Sequence, residues 1–142
     1  MRSKSTFNSR VAHIKAAPAI VYAFISDLRN FTHLIPEGFL DDWQADKGTC
    51  SFKVSPLGKA TVRISDIDPG KYVVYSGAVE KICFGIDAIL SGKEGDSSSI
   101  QIRIETVMDP FLKLLAGPQI EKGLEKLMDQ IEKFNGWEEV AL

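Results

Sequence analysis

The chain has 142 residues and a mass of 15.7 kDa, enough for one domain with a real core. Hydrophobic residues make up 44% and charged residues 25%, as in ordinary globular domains, and a formal charge of −2 offers no basic footprint for nucleic acid. No apolar run approaches the ~20 residues that span a bilayer. The opening Met1-Arg2-Ser3-Lys4-Ser5-Thr6 is followed by no apolar segment of a signal peptide, so a cytoplasmic protein is expected. Cys50 and Cys83 both fall in predicted strands, which favours reduced, buried thiols over a disulfide.

Phe7 to Lys15 reads as a first strand. Phe7, Val11 and Ile14 do not keep one parity, which a bulge would reconcile. Ala17-Pro18 opens a helix that buries Ile20, Val21, Phe24, Ile25 and Leu28. A second short helix is predicted from about Arg29, capped by Asp27, with Phe31, Leu34 and Ile35 inward and an end at Pro36-Glu37-Gly38.

From Phe39 to Met108 the hydrophobic period changes to two. Trp43 sits in a second strand. Cys50, Phe52 and Val54, then Ala60, Val62 and Ile64, alternate with polar residues on either side of a turn at Pro56-Leu57-Gly58. Asp68-Pro69-Gly70 turns into a short strand over Tyr72–Tyr75. Ile82, Phe84, Ile86, Ala88 and Leu90 alternate with Cys83, Gly85 and Asp87 up to a hairpin tip at Gly92–Asp96. Ile100, Ile102, Ile104, Thr106 and Met108 complete the set. These patterns predict half-buried antiparallel strands joined by hairpins.

Asp109-Pro110 supplies an N-cap carboxylate and a first-turn proline for a long final helix. Ile120, Leu124, Leu127, Met128, Ile131 and Phe134 form one apolar stripe on an otherwise charged rod. Phe111, Leu114 and Leu115 are out of phase with that stripe, and Gly117-Pro118 between them predicts a kink or short break. Gly123 beside the stripe leaves room for close packing or for a small guest. The expected architecture is α+β: a curved sheet of seven antiparallel strands around the C-terminal helix, with two short helices between the first and second strands. One domain is expected to fill 1–142, its core from about 7 to 134.

By alternation, the apolar inner face holds Trp43, Phe52, Val62, Ile64, Tyr75, Phe84, Ile86, Ile102 and Ile104, facing Leu124, Leu127 and Met128. These are the candidate ligand-binding residues, with Thr106, the Tyr75 hydroxyl and the Trp43 indole as the few polar groups. The same bulky aliphatics, without a glycine among them, would equally fill a dry core. Buried Tyr and Trp polar ends usually serve structural partners. His13 and His33 are far apart, and no His/Cys/Asp spacing matches a metal site. Neither cysteine has the basic neighbourhood that activates a thiol. No catalytic residue, metal or cofactor is therefore assigned.

Ala17-Pro18, Val21-Tyr22, Phe24-Ile25-Ser26-Asp27, then Asn30, Phe31 and Leu34-Ile35-Pro36, resemble the opening signature of the SRPBCC, or START-like, superfamily. Asp109-Pro110-Phe111-Leu112 ahead of an amphipathic helix is similar to the way small bacterial members end. The resemblance implies a helix-grip fold with a cavity between sheet and helix that holds a lipid, quinone, polyketide or other small hydrophobic molecule. It also implies two alternatives. One is a cyclase or aromatase using Thr106, Tyr75 and His33; the other is a protein-interaction module with Tyr72 and Val74 on its outer face. A monomer or weak dimer is expected.

Overall fold

The computed structural model describes residues 3–35, 40–54, 57–92 and 96–138. Strands β1 (Ser3–Asn8), β2 (Ala12–Ile14), β3 (Asp41–Ala45), β4 (Thr49–Val54), β5 (Gly58–Asp68), β6 (Tyr72–Val79), β7 (Ile82–Ser91) and β8 (Ser98–Met108) form one sheet. Its order is β1-β8-β7-β6-β5-β4-β3, with β2 continuing β1 along β8, and every pairing is antiparallel. The sheet is thus seven positions wide. Helix α1 (Pro18–Ile25), a 3₁₀ helix (Leu28–His33) and helix α2 (Pro110–Lys133) complete the described elements. The α+β helix-grip plan expected from the sequence is the one observed.

The predicted first strand is two strands. Ser9 closes the gap between them: its N–H donates to the Ile102 carbonyl at 2.8 Å, and its hydroxyl accepts from the Ile102 N–H at 2.9 Å. The interruption lets Phe7, Ala12 and Ile14 all face the core while Val11, 45% exposed, faces out. The second short helix is a 3₁₀ turn. The Asp27 carboxylate accepts from the Arg29 N–H at 3.0 Å and from its guanidinium at 2.6 and 2.9 Å. That pairing holds the buried Asp27 below the usual carboxylate range. β6 extends to Val79, four residues past its predicted end at Tyr75. At the β5–β6 turn the Lys71 N–H reaches the Asp68 carbonyl at 2.9 Å, with Pro69 second and Gly70 third at φ 79°. At the other edge, β3 is short, with an irregular register between Asp41 and Gln44. The predicted helix end at Pro36-Glu37-Gly38, Pro56 of its turn, and 93–95 of the hairpin tip lie outside the described residues.

α2 starts as expected, the Asp109 carboxylate accepting from the Leu112 N–H at 2.8 Å. It then runs unbroken through Pro118, so the expected break is absent. Proline at 118 removes the donor for the Leu114 carbonyl, but Leu114 and Pro118 both lie on the exposed side, where water can replace the lost bond. The predicted change of facing is observed: Phe111, Leu114 and Leu115 are exposed, while Leu124, Met128 and Ile131 are buried. Gly117 faces Phe7, and a Cβ there would meet its ring at 3.7 Å, an ordinary contact.

α2 packs on β1, β2 and β8, at one side of the sheet. Arg10, in the gap between β1 and β2, fastens it. The guanidinium donates to Glu125 at 2.9 Å, Asp129 at 2.6 Å and Glu132 at 2.7 Å. Glu132 also accepts from the His13 N–H at 3.3 Å. Arg10 is the main reason the Glu132 carboxyl sits below its ordinary range. A depressed carboxyl adds stability above its unfolded-state pKa and loses it as pH falls through the folded value. Arg10→Gln is therefore expected to lower Tm at neutral pH and to shrink the further fall in Tm between about pH 5 and pH 2. Parallel acid-dependent slopes in thermal melts of the two proteins would contradict this. After α2, Trp137 is only 4% exposed. It meets Phe24 at 4.7 Å and Phe134 at 5.0 Å between ring centroids, carrying the packed core past the last residue of the predicted stripe.

Candidate functional site

The inner face of the sheet is assembled from cross-strand rows. One row runs Phe7–Ile104–Ile86–Tyr75–Ile64. The next runs Ser5–Thr106–Phe84–Gly77–Val62–Cys50–Ala45. All thirteen candidate residues lie on this face, on β3 beside it, or on the facing side of α2. Val62, Tyr75, Ile102, Thr106, Leu124 and Met128 are buried; Trp43, Phe52, Ile64, Phe84, Ile86, Ile104 and Leu127 are half-buried.

The division follows from where the helices sit. α2 covers β1, β2 and β8; α1 touches β6, β7 and β8; the 3₁₀ helix touches β3 and β4. The part of the face that α2 leaves uncovered keeps large apolar side chains partly open to solvent. Trp43 stacks on Phe52 at 5.9 Å, and Phe31 meets Tyr75 edge-on at 5.8 Å. Ile120, Gly123 and Leu127 form a half-buried flank of α2 beside its buried strip. Together these residues leave a strip of half-buried apolar surface between α2 and the far half of the sheet.

The three expected polar groups are all engaged within the protein. The Tyr75 hydroxyl donates to the Ile25 carbonyl, the Trp43 indole to Thr32 Oγ1 at 2.9 Å, and the Thr106 hydroxyl to the Cys83 carbonyl at 2.9 Å. Burial raises the Tyr75 hydroxyl well above its ordinary value and pushes the Cys50 thiol up to about 11. A thiol shifted that way is the opposite of an activated nucleophile. Ser5 Oγ and Asn30 Oδ1 are buried without a partner among the described residues. A first strand that begins at Phe7 leaves Ser5 out, but parity carried two residues back puts Ser5 on the inner face beside Thr106.

Two expectations need correction. Cys83 is exposed, because it belongs to the outer face with Gly85 and Asp87, whereas Cys50 is buried as expected. The inner face also contains a glycine, Gly77, and the Phe84 ring covers it. His13 faces Ser99 at 3.3 Å and His33 stacks on Phe134 at 6.1 Å, on different parts of the molecule. Among the described residues no cluster of three His, Cys, Asp or Glu could hold a metal ion, and no helix is long and apolar enough to cross a membrane.

An open groove of about 1070 Å³ lies against the sheet. Its lining takes Ser51, Thr61, Ser76, Ala78, Cys83 and Val107 from the opposite face, Lys59 and Arg63 beside them, and Val62, Phe84 and Thr106 from the inner-face rows, and it is more apolar than polar.

No family model matches the sequence, and no curated protein does. Solved structures do. Norcoclaurine synthase from Thalictrum flavum, as a point mutant in complex with a transition-state analogue, aligns with a TM-score of 0.72 at 13% identity, over 94% of each chain. A protein from Rhizobium loti aligns with a TM-score of 0.68 at 16% identity, over 94% of this chain and 98% of that one. A conserved protein from Geobacillus kaustophilus gives 0.64 at 10%, over 91% and 93%. At such identities the likeness is one of fold. With its curved antiparallel sheet and long C-terminal helix, the chain has the START-like helix-grip fold of these proteins.

Proposed function

We propose that this protein binds a small hydrophobic molecule (lipid, quinone or polyketide-like) between the sheet and α2. The supporting observation is the row of half-buried apolar side chains, Trp43, Phe52, Ile64, Ile86 and Leu127, where a filled core would bury them. Norcoclaurine synthase from Thalictrum flavum has been solved with dopamine and hydroxybenzaldehyde, so small aromatic molecules are bound by at least one protein of this fold. Binding without turnover fits the residues better than catalysis. General acid–base chemistry needs a free polar group of matched pKa. Among the described residues of the sheet's inner face, Tyr75 is buried and already donates to a carbonyl, and the Cys50 thiol is driven up by burial.

The test is titration with an environment-sensitive apolar fluorophore such as 1-anilinonaphthalene-8-sulfonate, with native mass spectrometry of protein purified from its own host. The wild type is expected to enhance the fluorescence and to carry a non-covalent apolar adduct. Leu127→Trp, which puts a larger ring on the open flank of α2, is expected to weaken the fluorophore about tenfold while holding Tm within a few degrees. A wild type with neither enhancement nor adduct would overturn the proposal.

A further inference from the structure

Among the described residues, the largest exposed apolar group lies at the start of α2. Phe111, Leu114 and Leu115 are 71%, 74% and 58% exposed, and their spacing of i, i+3 and i+4 puts them on one face of the helix. That face points away from the sheet. Ala116 and Gly117, in the same turn, are the residues turned inward, so no small rotation of α2 could bury the three without exposing those two. Isolated exposed leucines are ordinary; three large side chains together in two turns are not.

We propose that this turn is a docking site for a lipid bilayer surface, with Phe111, Leu114 and Leu115 entering the interface between headgroups and acyl chains. Patch size favours a membrane over a second copy of the chain. The three side chains offer on the order of 300–400 Å², whereas a stable dimer needs ~800 Å² from each partner. A few inserted side chains beside cationic ones are enough for reversible interfacial binding. Beside the apolar turn the exposed Lys113 and Lys122 are balanced by Glu121 and by Asp109, which keeps its charge while it caps Leu112. Further along, Glu125, Asp129 and Glu132 share the single guanidinium of Arg10. Apolar insertion, not charge, is therefore what would hold this turn at a bilayer. The proposal does not depend on what binds between the sheet and α2.

Flotation with vesicles of phosphatidylcholine alone, and with one quarter phosphatidylglycerol, tests it on the full chain. The wild type is expected to float with both, to a similar extent, because the charges beside the turn balance. A variant carrying Phe111→Ser, Leu114→Ser and Leu115→Ser is expected to lose at least about tenfold in partitioning. The single Leu114→Ser change should lose part of that, with Tm unchanged because the residue is exposed. A wild type that stays in the lipid-free fraction, or a triple variant that floats equally well, would overturn the proposal. So would a dimer in sedimentation equilibrium that the triple variant abolishes, since the patch would then belong to a second copy.

Discussion

Gly77→Ala is expected to destabilise the protein by about 2–3 kcal/mol, the upper part of the range for overpacking a core. A Cβ at this position would stand 2.6 Å from the Thr61 carbonyl oxygen and 2.6 Å from Cζ of Phe84. The ring alone could turn aside. The carbonyl is backbone in the neighbouring strand, one residue before Val62, the partner of Gly77 in register, so relief would require β5 and β6 to separate locally. For a chain of this length the loss corresponds to a fall in Tm of roughly 6–15 °C. In a double-mutant cycle with Phe84→Ala, the coupling should return only part of the loss, because the Thr61 contact remains. Urea or thermal unfolding of the single and double variants measures both quantities. A melting curve for Gly77→Ala that overlays the wild type would show that the strands have slack here.

Phe24→Ala is expected to have an effect at least as large, about 3–5 kcal/mol, typical of removing a fully buried ring. Phe24 has no solvent exposure and joins α1 to the far end of α2 through Phe134 at 5.2 Å and Trp137 at 4.7 Å. Truncation leaves a cavity facing two aromatic rings at the end of a helix, where the chain can yield. The expected signature is therefore a lower Tm together with a red-shifted tryptophan emission as Trp137 gains water. Trp43 supplies the other indole, and a Trp43→Phe background isolates the signal. Emission unchanged at native temperature, with the stability loss present, would mean that Trp137 is held by the rest of its pocket.

Much of the fold could be read from the chain because its elements are half-buried. A strand with one wet face writes its alternation into the sequence, as β7 and β8 do. α2 announced its start through Asp109-Pro110 and its facing through two apolar phases. Other features left weaker traces. Gly77 has no side chain to contribute to a period, so β6 seemed to stop at Tyr75. Trp137 follows the helix in a segment without periodicity. The 3₁₀ character of Leu28–His33 rests on hydrogen-bond spacing, to which a hydrophobic pattern is insensitive.

The candidate site was legible as a face rather than as a site. Strand parity placed Phe52, Val62, Ile64, Tyr75, Phe84, Ile86, Ile102 and Ile104 together correctly. Which of them would be covered depended on where α2 settled. That depends on long-range packing, in which Leu124, Met128 and Ile131 are buried and Arg10 meets three carboxylates more than a hundred residues away. The internal use of Tyr75 and Thr106 was hidden for a related reason: their acceptors, the carbonyls of Ile25 and Cys83, are backbone atoms that any residue type would supply.

An open sheet has two margins where unpaired peptide groups could recruit a foreign strand, and this one disarms both. On one margin the ladder is cut between Asn8 and Ala12, with Arg10 turned across the gap toward α2. On the other, β3 is five residues long, carries Asp41 and Asp42, and is bent where Asp42 takes a left-handed φ of 54°. Neither side presents a long straight template, so half-buried apolar side chains on the inner face do not make the sheet a seed for fibrils.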